Sequence, residues 1–167
     1  MTEAKSAVQL RKKAKELLLL LLERGERFCT AESCTGGLIA KAITDLSGSS
    51  SVFSGSFVTY TNRIKIDVLG VPAEIIARET EVSLSCAEAM ARAAREKMQC
   101  EYALSTTGVA GPTGGSEQNP VGTVYIAVAT PSGVYSERFT APVGATRAGV
   151  RTSAAFRAME LLCEGLA

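Results

Sequence analysis

Histidine is absent from this 167-residue chain. That absence excludes Ser-His-Asp and Cys-His nucleophile systems, zinc sites built on imidazole, and any imidazole proton shuttle. Acid–base chemistry here falls to Lys, Tyr, Cys or a carboxylate. An excess of either charge is missing too: 18 Lys and Arg stand against 17 Asp and Glu, a formal net charge of +1. This balance argues against a broad electrostatic footprint for nucleic acid, so any anion contact should be local. Cysteine is present, but Cys29, Cys34, Cys86, Cys100 and Cys163 make an odd count with no C-x-x-C spacing. A secreted disulfide framework and a thiolate metal site are both disfavoured, and most of the five read as small buried hydrophobes.

Long apolar runs are also lacking. Arg11, Lys12, Lys13 and Lys15 before Leu17–Leu22 imitate a signal peptide, but Glu16 interrupts the basic cluster. Glu23-Arg24-Gly25-Glu26-Arg27 then follows without a small-residue cleavage site. Six leucines fall far short of the roughly 20 apolar residues that a membrane span requires. The expectation is a cytoplasmic protein with no membrane partner.

What is present, 46% apolar residues over 167 positions, fits one domain spanning residues 1–167. A domain of that size buries about 70% of the surface its unfolded chain exposes. Ala7, Leu10, Ala14, Leu17, Leu18 and Leu21 recur at helical spacing, which predicts an amphipathic helix over Lys5–Arg24 ended by Gly25. Phe28–Ala31 reads as a strand, followed by a helical period from Leu38 to Leu46. Val52–Tyr60 is a second strand, and Asn62 is expected to cap a short helix ending at Gly70. Pro72 opens another helix, and Ser85-x-x-Glu88 has the form of a capping box for a third, running to about Met98. Tyr102–Thr107 is a strand, 108–120 a Gly/Pro loop, and Gly122–Thr130 with Val134–Thr140 a hairpin turning at Pro131-Ser132-Gly133. Ala145–Leu162 is the closing helix.

This order predicts an α/β domain with helices on both faces of a mixed sheet. Ligands in such folds gather beyond the carboxyl ends of the strands, which points to the loops 32–37, 60–65 and 108–120.

Each of the three loops has two readings. Ala31-Glu32-Ser33-Cys34-Thr35-Gly36-Gly37 lies at a strand-to-helix turn, where free amides attract negative charge and glycines admit a ligand to the backbone. Ser33 there is either a helix cap or a nucleophile beside an oxyanion hole, and Cys34 is a rival nucleophile whose pKa a helix N-terminus would lower. No Lys follows a glycine at P-loop spacing. In Val58-Thr59-Tyr60-Thr61-Asn62-Arg63-Ile64-Lys65, Tyr60 and Lys65 can face one crevice. Lys65 is either a solvated surface lysine or, in a dry pocket, a base of lowered pKa. Thr107-Gly108-Val109-Ala110-Gly111-Pro112-Thr113-Gly114-Gly115 has G-x-x-G-x-x-G spacing, which rejects a Rossmann fingerprint. It is either a ligand-cradling loop or a long surface loop. Arg147 in the first turn of the last helix is unfavourable for a cation and hints at an anion partner, with Arg151 and Arg157 farther along. Ordinary surface arginines are the plain alternative.

Taken together with Gly48-Ser49-Ser50 and Pro120-Val121-Gly122-Thr123-Val124, these segments resemble the C-terminal domain of the CinA (competence/damage-inducible) family, in continuous order from about Phe28 to Phe156. The resemblance implies a three-layer α/β/α sandwich with a mixed, mostly parallel sheet. It further implies hydrolysis of the carboxamide of nicotinamide mononucleotide to nicotinate mononucleotide and ammonia, in pyridine nucleotide salvage, without a metal or other cofactor. By motif position, Ser33 would be the nucleophile, Lys65 its base and Tyr60 a partner in proton transfer. Ser50 and Thr107 would be pocket hydroxyls, Arg147 or else Arg151 would hold the phosphate, and Cys34, Thr35, Gly36, Gly108 and Gly111 would line the substrate.

Two features depart from the family pattern. Thr61 replaces the usual Ser, and the Gly144-Ala145-Thr146-Arg147 stretch is one residue longer than Gly-x-Arg. The pyrophosphatase-like domain of two-domain members is not in this sequence, so that activity is not expected of it. The expected partner is a small-molecule nucleotide rather than nucleic acid, with a homodimer admissible. The competing function is a non-catalytic nucleotide-binding or interaction domain linked to competence or DNA damage.

Overall fold

The computed structural model describes residues 4–167. Helix α1 (Ala7–Arg24) begins two residues later than its periodicity predicts, because Ser6 forms a reciprocal capping box with Gln9. Its stripe Leu10, Ala14, Leu17, Leu18 and Leu21 is buried, and Gly25 ends it at φ 64° in the left-handed region. Strand β1 (Phe28–Glu32) leads through a tight turn into α2 (Leu38–Thr44). A short 3-10 turn (Ser49–Ser51) precedes β2 (Phe53–Val58). One helical turn, α3 (Asn62–Ile64), runs into a π-helical turn over Lys65–Leu69 that Gly70 closes at φ 89°.

After α4 (Ala73–Glu79) and α5 (Leu84–Met98) come β3 (Tyr102–Gly108), the hairpin β4 (Thr123–Thr130) and β5 (Gly133–Thr140), and α6 (Arg147–Leu166).

Three local expectations are corrected. The cap of α3 is Thr61, whose hydroxyl accepts from the Ile64 amide at 3.4 Å, not Asn62. Pro72 is the residue before α4 and not its first helical position. Helix α5 is capped by Ser83, whose hydroxyl accepts from the Cys86 amide at 3.2 Å. Ser85, already one residue inside the helix, instead donates to Glu79, and Glu88 accepts from Ser136 at 2.6 Å. A capping box needs its serine outside the helix, so the Ser85–Glu88 pattern has no cap to make.

The strands assemble in the order β2-β1-β3-β4-β5. β1 pairs in parallel with β2 and β3, whereas β3–β4 and β4–β5 are antiparallel. Only β4 therefore runs against the other four strands, and the sheet is mixed. Its two faces are packed differently. Phe28, Leu104, Ile126 and Val128 point to the face covered by α1, α2 and α6. Cys29, Ala31, Ala103, Ala127 and Ala129 point to the other, where alanine-rich α5 lies with Leu69 and Val71. Side chains alternate across a strand, and the small residues on one side let a single helix pack closely. The result is a three-layer α/β/α arrangement.

Among the described residues no helix is long and apolar enough to cross a membrane.

Candidate functional site

The turn after β1 is organised by a carboxylate. Glu32, fully buried, accepts from the amides of Gly37 (3.0 Å), Ile39 (3.2 Å) and Ala40 (2.9 Å) and from the Thr35 hydroxyl (2.7 Å). Those amides are the unsatisfied donors at the start of α2, and an anion there also complements the helix dipole. Ser33 is consequently not the cap. Thr35 is locked under the turn, bonded to Glu32 and at 2.7 Å to Thr106, and is fully buried. Gly36 takes φ 60°, and its amide donates to the Ser33 carbonyl at 3.0 Å. Gly36, expected to line the substrate, is not among the residues that line the cavity described below. The amides of Cys34 and Thr35 donate to no backbone carbonyl among the described residues.

Lys65 is 1% exposed, an unusual state for a lysine. Its Nζ donates to Ser33 Oγ at 2.9 Å and to the Thr59 carbonyl at 2.8 Å. Burial drives its pKa below the usual 10.5, and nearby groups including Glu81 only partly restore it. The parallel pairing of β1 with β2 explains the meeting: Glu32 lies opposite Val58, and the Thr59 amide continues the ladder to the Glu32 carbonyl at 2.9 Å. Ser33 and Thr59 therefore leave the sheet side by side. The π-helical turn that begins at Lys65 then returns its side chain toward them. Of the two sequence readings of Lys65, the dry pocket is the one observed.

Ser33 and Lys65 floor a cavity of about 260 Å³ whose wall includes Glu81, Thr107, Gly108 and Gly111, with Tyr60 and Arg147 at its exposed mouth. Tyr60 is 57% exposed, and its phenol oxygen accepts from Arg147 Nη2 at 2.8 Å, not from Ser33 or Lys65. Arg147 also donates through Nη1 to the Gly111 carbonyl at 2.7 Å, clasping the loops 60–65 and 108–120 together. Thr107 lines the cavity, but its hydroxyl donates to the Glu81 carbonyl at 2.6 Å.

The glycines of the long loop serve its own packing as well as the cavity wall. A Cβ at Gly108 would come within 2.4 Å of the Thr123 carbonyl oxygen, and one at Gly111 (φ 75°) within 2.3 Å of Val121.

Three expected residues lie elsewhere or act differently. Ser50 is exposed in the turn before β2, at the amino end of the strand whose carboxyl end leads to Tyr60. Its carbonyl accepts from Arg27 at 3.1 Å, and it takes no part in the cavity. Arg151 does not line the cavity; its Nη2 donates to the Thr35 carbonyl at 2.7 Å and braces the turn from behind. Cys34 lines the cavity, but burial pushes its thiol up to about 12, outweighing the helix N-terminus expected to lower it. Among the described residues no three or more Cys, Asp and Glu side chains gather as a metal site.

The sequence reading passed over Glu32 and Glu81. Glu32 carried a readable signal, an acidic residue four positions before the Gly36-Gly37 pair that opens a helix. Glu81 carried none, since it stands in a loop between two helices that no motif connects to Ser33.

A family model described as the CinA C-terminal domain matches residues 10–166. A CinA-like protein of Geotalea daltonii is 57% identical over 110 residues, covering 66% of this chain and 27% of that protein. A CinA-like protein of Geobacter sulfurreducens is 48% identical over 145 residues, covering 86% of this chain and 34% of that one. The chain thus spans about a third of these curated relatives. Among solved structures, the competence/damage inducible protein CihA from Agrobacterium tumefaciens superposes with a TM-score of 0.90 at 36% identity, covering 99% of both chains. A CinA superfamily protein from Klebsiella pneumoniae gives 0.89 at 30% identity, covering 94% of this chain and 97% of that one.

Proposed function

The chain belongs to the CinA C-terminal domain family, and from that premise we propose that it is a serine–lysine amidohydrolase converting nicotinamide mononucleotide to nicotinate mononucleotide and ammonia. One observation carries the reading: an amine almost wholly withdrawn from water stands 2.9 Å from a serine hydroxyl at the floor of a cavity. An amide is a poor electrophile, so its hydrolysis needs a sharpened nucleophile and a stabilised oxyanion. In its neutral form Lys65 keeps one N–H on the Thr59 carbonyl and turns its lone pair to the Ser33 hydroxyl. Ser33 Oγ then attacks the carboxamide carbon while its proton passes to Lys65.

The amides of Cys34 and Thr35, which no backbone carbonyl engages, would supply the donors for the tetrahedral oxyanion. Each donor in such a hole is worth on the order of 10² to 10³ in rate. As the carbon–nitrogen bond breaks, the proton held by Lys65 goes to the departing nitrogen, giving ammonia and an ester on Ser33. Water, deprotonated by Lys65, hydrolyses that ester and restores the serine. Arg147 at the mouth holds the phosphate, and the Tyr60 phenol released from it is free to relay protons. No cofactor enters this scheme, and a cytoplasmic site of action fits a nucleotide substrate.

An ammonia assay on a panel of carboxamides, with wild type and Ser33→Ala, tests the proposal. Wild type should release ammonia from nicotinamide mononucleotide, and Ser33→Ala should lose at least about 10³-fold in turnover. Full activity in Ser33→Ala removes the covalent mechanism. A ligand-induced thermal shift of wild type without product would identify a nucleotide-binding domain instead.

A further inference from the structure

We propose that Glu81 reads the charge of the substrate ring, so that the cavity selects a carboxamide on a cationic aromatic ring over its uncharged dihydro counterpart. The inference rests on the amidohydrolase reading and extends it to a residue that no motif supplied.

The wall of the cavity carries few formal charges. With Lys65 neutral, the charged side chains lining it among the described residues are Glu81 and Arg147. Arg147 is exposed at the mouth, where it meets the exposed Tyr60 phenol. Glu81 is half-buried and shares the cavity with Lys65 and Ser33. The cavity is therefore polarised, with an anion in its wall and a cation at its rim. At about 260 Å³ it is slightly smaller than ordinary ligand sites of about 300–1,000 Å³, so a ring can sit inside while a charged tail extends to the mouth. A pyridinium ring bearing a phosphorylated ribose has its charges in the matching order.

The position of Glu81 is enforced from several sides. Thr107 donates to the Glu81 carbonyl at 2.6 Å, and Asn119 donates to the next carbonyl, Val82, at 2.9 Å. Tyr125 in turn holds Asn119 at 2.9 Å. The preceding residue, Thr80, has φ 69°, a sparsely populated conformation for threonine that persists only where the surroundings impose it. The carboxylate itself is met by Asn62 Nδ2 at 3.4 Å. Thr107 is thus a positioning residue for Glu81, which accounts for a buried hydroxyl that faces the cavity yet spends its proton on a backbone carbonyl. In a partly desolvated wall one carboxylate–cation interaction suffices for a tenfold preference.

The test is calorimetric binding to the Ser33→Ala protein, which holds substrate without turnover. The probes are nicotinamide mononucleotide and its dihydro form, which share carboxamide and phosphate and differ in ring charge. Ser33→Ala should bind the cationic form at least tenfold more tightly. Adding Glu81→Gln should cut that ratio to threefold or less, whereas adding Glu81→Asp should largely retain it. Glu81→Gln leaves the backbone bonds from Thr107 and Asn119 in place, and circular dichroism checks its fold. A ratio above threefold in the Glu81→Gln background, or no tenfold preference to begin with, overturns the proposal. Failure of the amidohydrolase reading is visible separately, as wild type that releases no ammonia while the ring-charge preference in binding persists. Absence of both binding and ammonia overturns the two together.

Discussion

Arg147 reaches 87 positions back along the chain to donate to the Tyr60 phenol at 2.8 Å, and its other terminal nitrogen holds Gly111. Arg151, one helical turn later, does not line the cavity and donates to the Thr35 carbonyl. Two arginines on one helix therefore have separable tasks. Arg147→Ala should raise KM chiefly for the phosphorylated substrate, about tenfold or more, the worth of a charge-assisted contact, with a smaller effect on the unphosphorylated nucleoside from the loosened loops. Arg151→Ala should lower kcat for both alike and cost about 1–2 kcal/mol in a denaturant titration. Steady-state kinetics on the nucleotide and nucleoside pair decides; a phosphate-specific KM effect in Arg151→Ala would exchange the two assignments.

Lys65 must be neutral to accept the Ser33 proton, and burial lowers its pKa from 10.5. Activity should accordingly rise with pH through that lowered value and level off above it. Lys65→Arg, which stays protonated, should be inactive over the same range. Linkage gives the matching stability trend. The unfolded lysine binds a proton that the folded one releases, so stability should increase with pH between the lowered value and 10.5. A pH–rate profile and denaturant titrations of wild type and Lys65→Met test both.

Glu32 satisfies three amides at the start of α2. Glu32→Ala leaves all three without this acceptor, the Ile39 amide in a buried position, and should cost on the order of 3 kcal/mol. Glu32→Gln, which has one acceptor oxygen instead of two, should fall between. A mutant no less stable than wild type in urea would show that water replaces the carboxylate.

Cys34, adjacent to Ser33, has its thiol pushed up to about 12 by burial. Cys34→Ala should retain activity within a few-fold, and the wild-type thiol should react slowly with iodoacetamide at neutral pH. Loss of turnover in Cys34→Ala would move the chemistry to sulfur.

Thr59 has a buried hydroxyl oxygen with no hydrogen-bond partner among the described residues. Thr59→Val removes that oxygen at nearly constant shape and leaves the carbonyl that holds Lys65. Stability should rise by about 1 kcal/mol, measured as a higher urea midpoint at unchanged slope.

Periodicity and punctuation made most of the fold legible. The α1 stripe, the hairpin turn at Pro131-Ser132-Gly133 and the order of elements all reflect local chemistry, and local chemistry is what a sequence displays. Caps are less legible, because Ser83 and Ser85 are equally able to cap and the backbone angle that separates them is set by packing. Ser50 shows the same limit at longer range: a motif in its proper order does not say at which end of a strand it emerges.

The amino-acid sequence on its own determined that any proton transfer here must proceed without imidazole, that an α/β sheet with polar strand-end loops would form, and that Ser33 and Lys65 belong to those loops. Only the tertiary structure decided that the two meet at 2.9 Å, that Lys65 loses its water, and that Glu81 shares their cavity while Ser50 and Arg151 do not. The reason is physical. Lysine carries no local signal of burial, and the β1–β2 register with the π-helical turn at Lys65, neither written in any short window, closes the distance between them.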